Sequence, residues 1–196
     1  MHPNGKQTLK NMTLSAMLMA AGYVLPLATG QIPQIGSMLL PMHLPVLLCG
    51  LVCGWKYGLT VGFVLPLTRS VLFGGMPPMF PTAVAMAFEL AAYGGLVGFF
   101  YGRSRWKCVV ALYRALLGAM VGGRLVWGVV MMVLMGVSGS GFTWAMFLSG
   151  ALFNALPGII LQLIFIPAMM MALGKTGMVP FHCGKDHKMM NNRYRC

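Results

Sequence analysis

Apolar residues fall along this chain in long, nearly unbroken runs, without the alternation of a half-buried strand or the narrow stripe of a surface helix. Six runs can be drawn, from about Thr8 to Ala28, Leu39 to Gly54, Tyr57 to Phe73, Thr82 to Gly102, Cys108 to Met135 and Phe142 to Leu173. Several reach the roughly 20 residues that an α-helix needs to cross about 30 Å of hydrocarbon. The breaks between them are built from turn residues: a Gly, Gln and Pro-rich stretch from Thr29 to Gly36, the segment Gly74 to Pro81 (GGMPPMFP), and the link Ser138 to Gly141. Pro41 and Pro45 predict an irregular or partly re-entrant start to the second helix, tolerable only where protein covers it, and Pro157 and Pro167 predict kinks in the sixth. The pattern as a whole predicts an all-α membrane protein, a compact bundle of six transmembrane helices over 8–175. A short N-terminal tail (1–7) precedes it and a basic, disordered tail (176–196) follows. The first run is long and ends without a clear small-residue cleavage site, which predicts a retained helix and no signal peptide.

Composition agrees: 58% of the 196 residues are hydrophobic and 8% charged. The net charge of +12 would raise nucleic acid as a partner in a soluble protein, but the charges sit at the ends of apolar runs and no soluble basic domain is available to bind it. Lys6 and Lys10 precede the first run, and Lys56 lies between the second and third. Arg103, Arg105 and Lys107 lie between the fourth and fifth, and Lys175, Lys185, Lys188, Arg193 and Arg195 follow the last. Six crossings then put both termini and all these charges on one side, the cytoplasm, with the Gln31, Pro77 and Ser138 loops outside. The five cysteines suggest no disulfide framework. His182, Cys183, Asp186, His187 and Cys196 in the tail match no zinc spacing, so no metal is expected, and the tail's charges are better explained by attraction to anionic membrane lipid. Small residues recur four apart at Ala16 and Ala20, Gly50 and Gly54, Gly58 and Gly62, Gly94 and Gly98, and Gly118 and Gly122, a spacing that lets helix backbones approach.

Ionisable groups inside apolar helices cost at least about 2.5 kcal/mol each near mid-helix, so those present point to function. Counting about 1.5 Å per residue, Arg69, Glu89, Arg124, Asn154 and His43 all fall in the outer half or near the midplane, on five different helices. Arg114 lies nearer the cytoplasmic end and can snorkel to the surface. Glu89 is the single acid of the apolar region, and pairing with Arg124 or Arg69 to brace the bundle accounts for it equally well. Two guanidiniums against one carboxylate leave an excess positive charge, which a carboxylate or phosphate on a bound ligand would neutralise through bidentate hydrogen bonds. Tyr93 and Trp127, each about one turn from a charged residue, are candidates to stack on the ligand. The prolines flanking His43 would aim its ring toward the outer mouth.

The first-helix segment Ala16-Met-Leu-Met-Ala20 and the stretch LPMHLPVLLCGLVCGWKYGLTVGF from Leu40 to Phe63, followed by a Gly- and Pro-rich outer loop, resemble the substrate-capture subunits (S components) of energy-coupling factor (ECF) vitamin transporters. The likeness covers about residues 8 to 175. It rests on His43-x-Pro45-Val-Leu-Leu and on the Gly58-x-x-x-Gly62 helix, which look like the second and third helices of that family. The resemblance implies a multi-pass cell-membrane protein that captures a vitamin or related small molecule outside. It topples in the membrane and releases its cargo inward when a transmembrane coupling protein and two ATPase subunits act. It further implies that Ala16 and Ala20 meet the coupling protein. Ligand would be held in the outer half by the later helices and capped by outer loops, here residues 29–38, 74–81 and 137–142. The excess positive charge favours an acidic cargo such as pantothenate. No Walker motif is present, so no cofactor is expected in this chain and ATP would be used by the partner subunits.

Two other readings have sequence support. Gly136-Val-Ser138-Gly139 matches the short Gly-x-Ser-Gly motif of rhomboid membrane proteases, yet the only histidines after Ser138 are His182 and His187 in the polar tail, out of reach as a base, so an enzyme is not expected. A stand-alone ion- or proton-coupled carrier would use Glu89 as its titrating group.

Overall fold

The computed structural model describes residues 5–28, 42–73, 78–104, 108–139 and 156–175. Six α-helices run through them: α1 (Gly5–Ala28), α2 (His43–Cys53), α3 (Trp55–Leu72), α4 (Val84–Arg103), α5 (Val109–Val137) and α6 (Leu156–Lys175). A π-type turn, Met79–Ala83, leads into α4. Each helix follows one of the apolar runs. Among the described residues three stretches are long and apolar enough to cross a membrane, Met79–Arg103, Val109–Val137 and Gly158–Lys175. Of the other helices, α3 carries Lys56 and Arg69 near its two ends and α2 has only 11 residues. At a rise of about 1.5 Å per residue α2 covers about 16 Å, half of a membrane's hydrocarbon thickness.

Pro167 lies inside α6, and the residues before Leu156, which decide whether Pro157 is a kink, lie outside the described ones. One sequence expectation is corrected. Gly54 is no packing glycine. It is the single residue linking α2 to α3, at φ +100, where a side chain would be strained, and a methyl there would meet nothing.

The other glycines of the four-residue pairs do pack. A methyl on Gly58 would lie 2.6 Å from the Gly50 Cα and 2.6 Å from the Gly94 carbonyl oxygen, and one on Gly98 would lie 2.6 Å from the Gly50 carbonyl oxygen. The backbones of α2, α3 and α4 therefore touch along a glycine seam. On α5, Gly118 makes room for the Phe100 ring and Gly122 for Leu96. Helix α4 packs on α2, α3 and α5, while α2 also touches α1 and α6 and is buried at every residue except Val52. Helix α1 lies across α2 and α3. There Gly22 receives Leu65, the Asn11 amide donates to the Cys53 carbonyl at 3.4 Å, and the Tyr23 hydroxyl bonds that of Thr68.

Two apolar clusters fill the bundle. One joins Leu47, Tyr93, Leu116, Met120 and Ile166 from α2, α4, α5 and α6. The other joins Val46, Cys49, Val61, Leu65 and Leu90 from α2, α3 and α4, with α1 packed against it.

Candidate functional site

Moving one helical turn from the first cluster, residues four apart share a face and apolar side chains give way to polar ones. His43 lies one turn before Leu47, Glu89 before Tyr93 and Gln162 before Ile166, while Arg124 lies one turn after Met120 on α5, which runs the other way. The result is a polar layer resting on the apolar cluster, built from four helices.

Its geometry is given by three contacts. Arg124 Nη1 lies 2.8 Å from Glu89 Oε1, His43 Nε2 lies 3.9 Å from the same oxygen, and the His43 and Tyr93 rings meet edge to face with centroids 5.1 Å apart. His43 and Glu89 are shielded from water, 1% and 2% exposed, while the Arg124 side chain is 14% exposed. The Arg124–Glu89 contact is a close charge pair and not an aligned hydrogen bond, because Oε1 has no donor in bonding geometry among the described residues.

What this layer leaves unused is as informative as what it pairs. Among the described residues, Arg124 Nε and Nη2, both ring nitrogens of His43, and Gln162 Nε2 are buried with no hydrogen-bond partner. Nε–H and Nη2–H form one edge of the guanidinium and point the same way, a fork that matches the two oxygens of a carboxylate. Helix α2 begins at His43 itself, and Met42 offers no side-chain cap. Its first N–H groups and the positive end of its dipole therefore lie beside the layer. So many unsatisfied polar groups at one depth are costly unless something else meets them.

Of the residues expected from sequence, the structure brings four together, His43, Glu89, Tyr93 and Arg124. Trp127 is half-buried on α5, three residues beyond Arg124. Arg69 is buried near the end of α3, one turn beyond Leu65 of the second cluster, with its guanidinium 5.7 Å from the Phe73 ring centre. Asn154, most of the three capping loops and the tail from Thr176 to Cys196 lie outside the described residues. Gln162 joins the layer without having been a sequence candidate. It is 1% exposed, and its signal in the sequence is its place as an amide within the apolar sixth run, on one stripe with Ile166 and Met170. Ala16 and Ala20 are exposed on the face of α1 turned away from the bundle, beside Leu9, Met12, Met17 and Val24.

Ser138 ends α5 exposed, with its hydroxyl donating to the carbonyls of Leu134 and Met135 at 3.1 and 3.0 Å, so its hydrogen serves the helix end. Among the described residues no three His, Cys, Asp or Glu side chains gather as for a metal.

The sequence matches the family described as "ECF transporter, substrate-specific component" over residues 10–170. No curated protein and no solved structure matches the chain.

Proposed function

Because the chain belongs to the substrate-specific component family of ECF transporters, we propose that the polar layer of His43, Glu89, Arg124 and Gln162 is where it holds its cargo, and that the cargo is a small anionic molecule of the vitamin class, pantothenate-like in carrying a carboxylate. The observation that carries the reading is the Nε–Nη2 edge of Arg124, buried without a partner among the described residues while Nη1 lies against Glu89. A ligand carboxylate docked on that edge would make two parallel charge-assisted hydrogen bonds. The start of α2, a half-length helix that Met42 does not cap through its side chain, favours the same sign of charge, as broken helices do in other transporters. Tyr93 walls the site, and Arg69, Trp127 and Asn154 remain candidates for the ligand's far end.

In this reading the six helices all cross the membrane, with both termini in the cytoplasm and the polar layer in the outer half. The exposed Ala16 and Ala20 meet the coupling protein, and the ATP is hydrolysed by partner subunits. Glu89 is tied to Arg124, which favours this reading over a stand-alone carrier that needs a free titrating carboxyl. The test is mass spectrometry of small molecules released from the purified protein. A carboxylate- or phosphate-bearing compound at about one equivalent is expected, and a neutral or cationic one would overturn the assignment of charge.

A further inference from the structure

On the opposite face of α4 from the first cluster lies an open apolar groove of about 510 Å³. Trp55, Leu59 and Phe63, four apart on α3, form one wall; Ala92, Gly95 and Phe99 of α4 form the floor. On the far side α5 contributes Val126, which stands on the stripe Gly118, Gly122, Val126 that faces α4 through Phe100 and Leu96. From Phe99 to the last lining residue of α4, Phe88, is 11 residues, about 16 Å, the hydrocarbon depth of one leaflet.

All three helices carry a basic residue at the same end of this groove. Lys56 follows Trp55 and lies 5.7 Å from its ring centre. Arg103 stands one turn beyond Phe99 on α4, and Arg114 one turn before Gly118 on α5. The ends of α3 and α4 are adjacent there, since a methyl on Gly98 would lie 2.7 Å from the Trp55 backbone. Lys56, Arg103 and Arg114 are all exposed, and among the described residues the one acid, Glu89, is buried with Arg124 and so neutralises none of them.

We propose that this groove is a binding site for one anionic phospholipid, with an acyl chain along Trp55, Leu59 and Phe63 and its phosphate among Lys56, Arg103 and Arg114. Charge and length argue together. The side-chain charges at the cytoplasmic ends of these helices meet the positive-inside pattern, and their placement on all three helices at one groove end makes a basic pocket of the kind that suits an acidic headgroup. The groove's depth fits a chain confined to that leaflet, and its glycine and alanine floor lets the chain lie against the α4 backbone. The site is separate from the polar layer and does not depend on what that layer binds.

Native mass spectrometry of the full chain released from nanodiscs of equimolar phosphatidylglycerol and phosphatidylcholine tests it. The wild type should retain one phosphatidylglycerol at least about tenfold over phosphatidylcholine, given roughly fivefold per cation near the surface. Lys56→Gln/Arg103→Gln/Arg114→Gln should bring the two lipids to near parity, and Ala92→Phe, which fills the groove, should lower retention of both. Equal retention of both lipids by the wild type, or an unchanged preference in the triple variant, would overturn the proposal. So would a triple variant that keeps its lipid but no longer co-purifies with the coupling protein, which would make this a protein interface. The triple variant alters exposed side chains only, so the test remains decisive even if Ala92→Phe does not fold.

Discussion

Replacing the Arg124–Glu89 pair separates a brace from a binding group. At 2.8 Å and an effective dielectric near 20, the two charges attract by about 6 kcal/mol before desolvation is counted. Burial returns much of that, so the net value of the intact pair is small. Removing one partner is different, because the other charge stays behind with the Glu89 side chain only 3% exposed. Arg124→Met or Glu89→Leu alone should therefore destabilise the protein by about 3 to 5 kcal/mol, on the order of 10 °C in melting temperature for a chain of this size. The double variant Glu89→Leu/Arg124→Met replaces a buried pair by apolar groups of similar volume and should melt near the wild type or above it.

Binding should not follow stability back. Loss of the Nε–Nη2 fork removes two charge-assisted hydrogen bonds, about 2 to 3 kcal/mol in sum once desolvation is included, or roughly 100-fold in affinity. The assay is a thermal melt of each variant beside equilibrium binding of the compound that co-purifies with the wild type, with pantothenate as the first ligand tried. A double variant that recovers both its melting temperature and wild-type affinity would reduce the pair to a brace and move the cargo elsewhere.

Gln162→Leu removes a buried amide whose Nε2 has no partner among the described residues; it should raise the ligand-free melting temperature, since an unsatisfied group costs about 1 to 3 kcal/mol, while lowering affinity about tenfold. Gly94→Val pushes a side chain into the Gly58 backbone, which cannot move aside, and should abolish a monodisperse peak in size-exclusion chromatography. Ala16→Leu/Ala20→Leu alters exposed positions and should leave ligand affinity unchanged while ending co-purification with the coupling protein; lost binding with intact co-purification would contradict the assignment. Ser138→Cys in a background without the five native cysteines should react with a membrane-impermeant thiol reagent on intact cells, and failure to react would reverse the proposed orientation.

Depth is legible in the sequence and azimuth is not. Counting from the ends of the apolar runs is enough to align His43, Glu89 and Arg124, because a charge in hydrocarbon is costly enough to mark itself and helical rise is regular. The same count puts Arg69 at a suitable depth, but which side of α3 it occupies depends on the seam glycines that turn Gly58 and Gly62 toward α4, and these leave it above Leu65 and the second cluster. Gly54 fails as a packing residue for a related reason. Four-residue spacing describes a face only while the helix continues, and α2 stops at Cys53.

Gln162 escapes notice because an amide is cheaper to bury than a charge and does not stand out by cost alone. It becomes visible through its stripe, since Ile166 and Met170, four and eight residues on, are both fully buried and fix the direction in which Gln162 must face. Applied to α4, the same rule separates two neighbours in sequence: Glu89 shares its face with Tyr93 and Val97 in the first cluster, while Phe88 shares its own with Ala92, Gly95 and Phe99 in the groove. One helix thus carries the polar layer on one side and the apolar floor on the other. A bulky group added at Ala92 can be expected to press on the lipid groove and leave the Glu89 side of α4 untouched, so the two proposed sites can be disabled one at a time.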